Sequence, residues 1–328
     1  MNLKKNGDIS VGQGSVDTMN RLLLILTLLT LTRVAQGQVD LKHFDYTKAD
    51  SVALNFPKKK YKSYTEIVVP LTEKLGTEQE KFRAIFRWVT NNISYSYSNR
   101  SSDPDRAIKK GKAVCSGYSN LLKAMCNSVG IECEVITGFS KTADSDIDKP
   151  LKKTDHAWNS VKLNNKWYLV DATWAWGYQN EKKKFIKEYN ETYFLADNDF
   201  FHKKHYPKDK NWILSEKSIK KSDFKKSPIF YSNYLADQIE LVKPTKGIIR
   251  MKLKDSLKIE FKSFESIERI SVSTNPKKPS TLMQLKKVQN KDGSTLFIGT
   301  TKFDKPTKTA MTVFINGRST LTYRLTVK

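Results

Sequence analysis

Apolar residues follow two rhythms along this chain, and the change between them falls near Tyr234. In the earlier part, Phe82, Ile85, Phe86, Val89 and Ile93 recur at helical spacing behind Thr77 and Glu80, a pair that predicts a capping box. Leu121, Leu122, Met125, Cys126 and Val129 repeat that spacing from Ser116 onward, and Gly130 closes the helix. Asp103, followed by Pro104, starts a short helix that ends at Gly111. Strand formers then dominate 131–139, 155–163 and 166–174. Asn164-Asn165 lies between the last two runs and suits the positive φ angles of a tight turn. A two-residue loop there pairs Leu163 with Lys166, Trp158 with Asp171 and His156 with Thr173, so that His156 and Asp171 become diagonal neighbours on one face.

Beyond Tyr234 the helical period is lost. Short β-rich runs are expected near 237–242, 246–252, 256–262, 267–273, 281–288, 294–301, 308–315 and 318–327, with Asp292-Gly293 and Asn316-Gly317 as turn signals. Seven or eight short strands in about 95 residues predict an immunoglobulin-like β-sandwich. It holds no Cys and no His, which favours a binding or spacer role over catalysis. The expected organisation is an α+β domain over 38–232 and this all-β domain over 233–328.

The N-terminus adds a third part. Met19-Asn20-Arg21 precedes an apolar run at 22–32, too short to span a bilayer, and Ala35 and Gly37 supply the small residues of a cleavage site. Residues 1–37 therefore read as a signal peptide, and the protein as exported to the periplasm or beyond. No later stretch reaches 18 apolar residues, so no integral membrane segment is expected in the mature chain.

Charge changes the picture of partners. The 58 Lys and Arg residues against 34 Asp and Glu give a net charge of +24. The lysines are spread along the whole chain, whereas nucleic-acid readers cluster their cations on one element; nucleic acid is not expected as a partner. A solvated Lys-rich surface accounts for the balance, with attraction to acidic envelope polymers as its sharper form. The polar stretch 141–154 carries Asp144, Asp146 and Asp148 at alternating positions but lacks the glycine and distal Glu of a calcium loop. It reads as a mobile surface loop beside the site; no metal and no cofactor are expected.

The candidate chemistry rests on three residues. Cys115 sits where the 116–129 helix begins, and unpaired N–H groups with the positive dipole end favour a thiolate there. His156 and Asp171 follow on the hairpin, in the order of a nucleophile, its base and the group that orients the base. Cys126 and Cys133 remain; each fits as a buried thiol, and a disulfide between them is the alternative. Trp158 and Trp174, from a cluster that also holds Trp167 and Trp176, are expected to wall the site.

These segments resemble the core of the transglutaminase-like superfamily. The matching pieces are FRWVTNNISYSY, KAVCSGYSNLLKAMCNSVGIECEVITGF and DHAWNSVKLNNKWYLVDATW, and YFLADNDFFHKKHYP (193–207) resembles the kyphoscoliosis-peptidase branch. The resemblance spans roughly 45–232 and implies a papain-like catalytic core with Cys115 as nucleophile, His156 as general base and Asp171 as orienting acid. Ala113 and Ser116 depart from the family pattern around the nucleophile. The reaction implied is acyl transfer at an amide carbonyl of a protein or peptide through a thioester: hydrolysis by a peptidase or amidase, or crosslinking by a transglutaminase. The Cys115 backbone N–H is one oxyanion donor; Trp88, Tyr95 and Tyr97 are candidates for the second. A non-catalytic envelope scaffold is the alternative from another class.

Overall fold

The computed structural model describes residues 41, 44–180, 184–236 and 238–328; the expected signal segment lies outside them. Among the described residues no helix is long and apolar enough to cross a membrane.

The first half is a core of mixed helices and antiparallel strands. Its long helix, Glu78–Asn92, starts at the expected capping box: Thr77 accepts from the Glu80 N–H at 3.2 Å while Glu80 Oε2 accepts from the Thr77 N–H at 3.1 Å. That helix buries Phe82, Ile85, Phe86 and Val89. Two short strands, β1 (Ser94–Tyr95) and β2 (Lys112–Ala113), pair in parallel and lead into the Cys helix, Cys115–Asn127.

Against the Cys helix lies a four-stranded antiparallel sheet made of β3 (Cys133–Ser140), β4 (His156–Leu163), β5 (Lys166–Val170) and β8 (His205–Pro207), in the order β5-β4-β3-β8. Between β5 and β8 the chain runs through a small hairpin of β6 (Gly177–Gln179) and β7 (Phe185–Lys187) and then the helix Asn198–Lys204. The hairpin register holds from Leu163↔Lys166 to Asn159↔Val170, with Asn164 and Asn165 at φ 49° and 61°. It then stops one pair short of Trp158 and Asp171. The expected strand over 166–174 ends at Val170, and residues Ala172–Trp176 form a helical turn. The cause is local: the Asp171 side chain accepts from the Thr173 and Trp174 N–H groups, an N-cap that competes with the sheet ladder, and its own N–H donates to Tyr193 O at 3.0 Å.

The 141–154 stretch is also different from expectation. Lys141 and Ile147 are buried, and Asp146 spends its carboxylate on the Thr142 and Ala143 N–H groups. Asp148 pairs with Lys225 at 2.9 Å. The stretch is folded onto the segment 224–228 instead of projecting as a free loop.

The second half is built from strands: β9 (Ile229–Phe230), β10 (Ile239–Lys243), β11 (Ile248–Met251), β12 (Leu257–Ser263), β13 (Ile270–Ser273), β14 (Thr281–Leu282), β15 (Gln284–Gln289), β16 (Thr295–Thr301), β17 (Thr307–Ile315) and β18 (Arg318–Val327). One sheet has the order β10-β12-β16-β15; the other runs β11-β18-β17-β13-β14, with β9 also on β18. Ile259, Phe261 and Phe297 from the first sheet share a core with Val272, Val313, Leu321 and Tyr323 from the second. All eight expected runs carry strand, but the run at 281–288 is divided: β14 pairs in one sheet and β15 in the other, and the buried Met283 between them makes the crossing. Phe200, Phe230 and Tyr234 join the same core, so helix Asn198–Lys204 packs against the C-terminal sheets.

Candidate active site

Each of the three expected residues is placed by a different device. Cys115 is the first residue of its helix, partly exposed, with Val114 in extended conformation before it. His156 opens β4 opposite Gly138 of β3. Asp171 is fully buried at the N-cap of the turn that follows β5. These placements bring them into one line. Asp171 Oδ2 lies 2.7 Å from His156 Nε2, and the imidazole in turn hydrogen-bonds the Cys115 sulfur. With Nε2 committed to the carboxylate, Nδ1 is the nitrogen left for the thiol.

A second imidazole converges on the same carboxylate. His205 Nε2 lies 3.0 Å from Asp171 Oδ2, while Asp171 Oδ1 accepts from the Thr173 and Trp174 N–H groups at 2.9 and 3.0 Å. The buried carboxylate therefore meets four N–H donors, two per oxygen. Sequence reasoning assigned no role to His205. The signal was present in the 193–207 stretch, but its meaning depends on β8 pairing with β3, a contact between segments some 65 residues apart on the chain.

The charges follow from this geometry. Burial pushes the Cys115 thiol up, but hydrogen bonds from His156 and from the Ala157 N–H, with the charge of His156, bring it below its ordinary value. Burial opposes a charged His156; the Asp171 charge and hydrogen bond outweigh it and raise the imidazole to about 10. Burial likewise opposes an ionised Asp171, yet the His156 charge and the bonds from both imidazoles hold it well below the usual carboxylate range. His205 goes the other way, pushed down to about 4 by burial in spite of Asp171. At neutral pH His156 is an imidazolium beside the Asp171 carboxylate, with a neutral imidazole behind, and the pair favours the thiolate form of Cys115.

His156, Asp171 and His205 are the one group among the described residues whose donor atoms converge closely enough to suggest an ion site. The contacts of 2.7 and 3.0 Å run from nitrogen to one carboxylate oxygen and are hydrogen bonds, which uses the facing lone pairs for protons.

A sequence of this composition, with a helix-borne thiol packed on a sheet that carries its imidazole, matches a known family. Residues 65–172 fit the family model of the transglutaminase-like superfamily. This protein carries a transglutaminase-like domain. Kyphoscoliosis peptidase of Homo sapiens is 34% identical over 157 residues, covering 45% of this chain and 24% of the relative. Kyphoscoliosis peptidase of Mus musculus is 30% identical over 193 residues, covering 56% and 29%. Hillarin of Drosophila melanogaster is 26% identical over 216 residues, covering 61% and 26%. The chain spans about a quarter of the length of these curated relatives.

In the transglutaminase-like domain both aromatic residues expected as walls, Trp158 and Trp174, lie against the imidazole. Trp174 stacks on His156 with ring centres 5.2 Å apart, and Trp158 lies 6.0 Å from it. Trp167 packs instead on Trp212 at 5.2 Å, and Trp176 is buried. Among the three aromatic candidates upstream, β1–β2 pairing sets Tyr95 beside Ala113, and its phenol, raised first by burial and then by a bond to Tyr97, also feels the Cys115 charge. Tyr97 is exposed and Trp88 is buried in the long helix. Cys126 and Cys133 are free buried thiols that hydrogen-bond each other.

Proposed function

We propose that this protein is an exported cysteine-dependent acyl-transfer enzyme acting on amide bonds of proteins or peptides, as a peptidase or amidase. The observation that carries the reading is the continuous contact from Cys115 through His156 to Asp171. In this reaction the Cys115 thiolate attacks the amide carbonyl carbon, and the oxyanion forms against the N–H groups at the start of the Cys helix. His156 gives its Nδ1 proton to the departing amine, leaving a thioester on Cys115. Neutral His156 then takes a proton from water, the hydroxide attacks the thioester, and the acid departs as the thiolate is regenerated. Asp171 balances the imidazolium in both steps.

The remaining assignments complete the proposal. Residues 1–37 serve as the export signal. The C-terminal sheets, from about residue 233, form an immunoglobulin-like sandwich that binds or spaces, and the +24 charge draws the protein toward acidic envelope polymers. The test is incubation of the mature protein with a peptide library and an amine donor, beside Cys115→Ala. New carboxyl termini that vanish in the variant support a peptidase. Incorporated amine would identify the same thioester resolved as in a transglutaminase. No product of either kind, with a thiol that alkylates no faster than free cysteine, would leave the scaffold reading in place.

A further inference from the structure

We propose that His205 is a positioning residue for the reaction: through Nε2 it holds the Asp171 carboxylate aimed at His156. The inference rests on the enzyme reading above and extends it to a residue which that reading does not use. The Oδ1 side of Asp171 is anchored by two backbone N–H groups of the following turn. The Oδ2 side is held by the two imidazoles alone. During turnover His156 gains and loses its Nδ1 proton, so the charge behind its Nε2 bond to Oδ2 varies. His205 gives Oδ2 a second donor that takes no part in the proton transfer.

The surroundings suit a fixed, uncharged ring. Phe201 stacks on His205 at 4.0 Å with an interplanar angle of 15°, Trp174 lies at 4.3 Å and Trp158 at 5.1 Å. The ring has no exposure to solvent. The titratable groups that face it are Asp171, His156, Lys204 and, more distantly, Tyr193. Both ring nitrogens face acceptors, Asp171 Oδ2 at 3.0 Å and the Phe201 carbonyl at 3.3 Å; burial favours the neutral ring, whose one N–H goes to the shorter contact with the charged carboxylate. A second cation at this place would compete with His156 for the single charge of Asp171. A neutral donor orients the carboxylate and leaves that charge to the imidazolium.

The experiment uses the full chain and no substrate. Alkylation of Cys115 by iodoacetamide is followed by mass spectrometry across pH, with melting curves, for wild type, His205→Phe and His205→Gln. Phenylalanine keeps the ring stack and lacks the donor; glutamine restores an N–H at similar reach. The alkylation rate near pH 6 is expected to fall about tenfold in His205→Phe, as a loosened catalytic group requires, and to recover most of that in His205→Gln. A wild-type rate in His205→Phe overturns the proposal, as does an equal loss in both variants, which would mean packing alone. Should His205→Phe fail to fold, ¹⁵N chemical shifts of the wild-type imidazole decide: protonated Nε2 with bare Nδ1 is required between pH 6 and 9, and a charged ring or the other tautomer overturns the role. A wild-type Cys115 that alkylates only in the ordinary thiol range sinks the enzyme reading itself. A reactive wild-type thiol indifferent to His205 sinks only this inference.

Discussion

The indole of Trp158 lies directly over Gly138, where a Cβ would come within 2.4 Å of its Cη2 atom and 2.3 Å of the Tyr206 carbonyl oxygen. Gly138 pairs with His156 on one side and with Pro207 on the other, so the missing side chain lets the indole settle beside both histidines. Gly138→Ala is expected to cost about 1–3 kcal/mol of stability, the usual range for overpacking, and to slow Cys115 alkylation because the indole must move. Urea denaturation with alkylation rates checks this. A variant unchanged in both would mean that Trp158 does not fix the site.

Asp171→Ala removes the acceptor of four N–H groups and takes from two buried imidazoles their carboxylate partner. Unfolding free energy is expected to fall by about 3–5 kcal/mol, as for a broken buried pair. Asp171→Asn preserves the cap but turns an amide N–H group toward an imidazole, so turnover should fall by about 10³–10⁴ with a smaller loss of stability. Equal turnover of Asp171→Ala and wild type would remove Asp171 from the mechanism.

The opposite shifts of Cys115 and His156 predict the alkylation profile. A thiol below its ordinary value stays reactive below the free cysteine range of ~8.5, and a His156 of about 10 keeps its proton until that pH. Alkylation should therefore persist toward acid pH, whereas turnover, which needs the His156 proton, should decline above about 10. Cys126 and Cys133, buried, should remain unlabelled while the protein is folded. Labelling of all three at similar rates would contradict the assignment.

Acid stability follows from His205. Its ordinary value is 6.5 and its folded value about 4, so between these pH values the unfolded chain binds a proton that the folded protein refuses. Stability present above 6.5 is thus lost as pH falls toward 4, and the depressed Asp171 adds loss in the same direction at lower pH. Melting temperatures should drop through this window; a flat curve from pH 7 to 4 would contradict the neutral, buried His205.

Lys141→Met tests the folded 141–154 stretch. The Lys141 ammonium, lowered to about 7 by burial, donates to Phe224 O at 3.1 Å, Ser227 Oγ at 3.0 Å and Pro228 O at 3.3 Å, and also meets Ser227 O. Methionine matches its length and abandons those acceptors, so a loss of about 2–3 kcal/mol is expected in denaturant. A neutral substitution would show that the acceptors find water.

Much of this was legible locally. The Thr77–Glu80 cap, the Asn164-Asn165 turn and its register, the helix start at Cys115 and the strand runs after Tyr234 each depend on neighbours a few residues apart, and each stands where the pattern put it. Asp171 departed because strand propensity in WYLVDATW was outweighed by one carboxylate capping the next turn. Met283 switches sheets, Lys141 is buried and His205 meets Asp171 through contacts that only the assembled sheets create. No local period encodes them.

Two adjacent phenylalanines carry a consequence for protein engineering. Phe200 belongs to the core of the C-terminal sheets, and Phe201, one residue later, stacks on His205. Farther along, Ile229–Phe230 pairs with β18 while Asn233 donates to Ser319 O. A chimera joined at residue 232 would strip partners from Phe200 and Phe230 and loosen the helix that leads into the imidazole behind Asp171. A graft intended to exchange the β-rich half between relatives must therefore repack the contacts of Phe200 while leaving the helix and β8 with the sheet that carries His156.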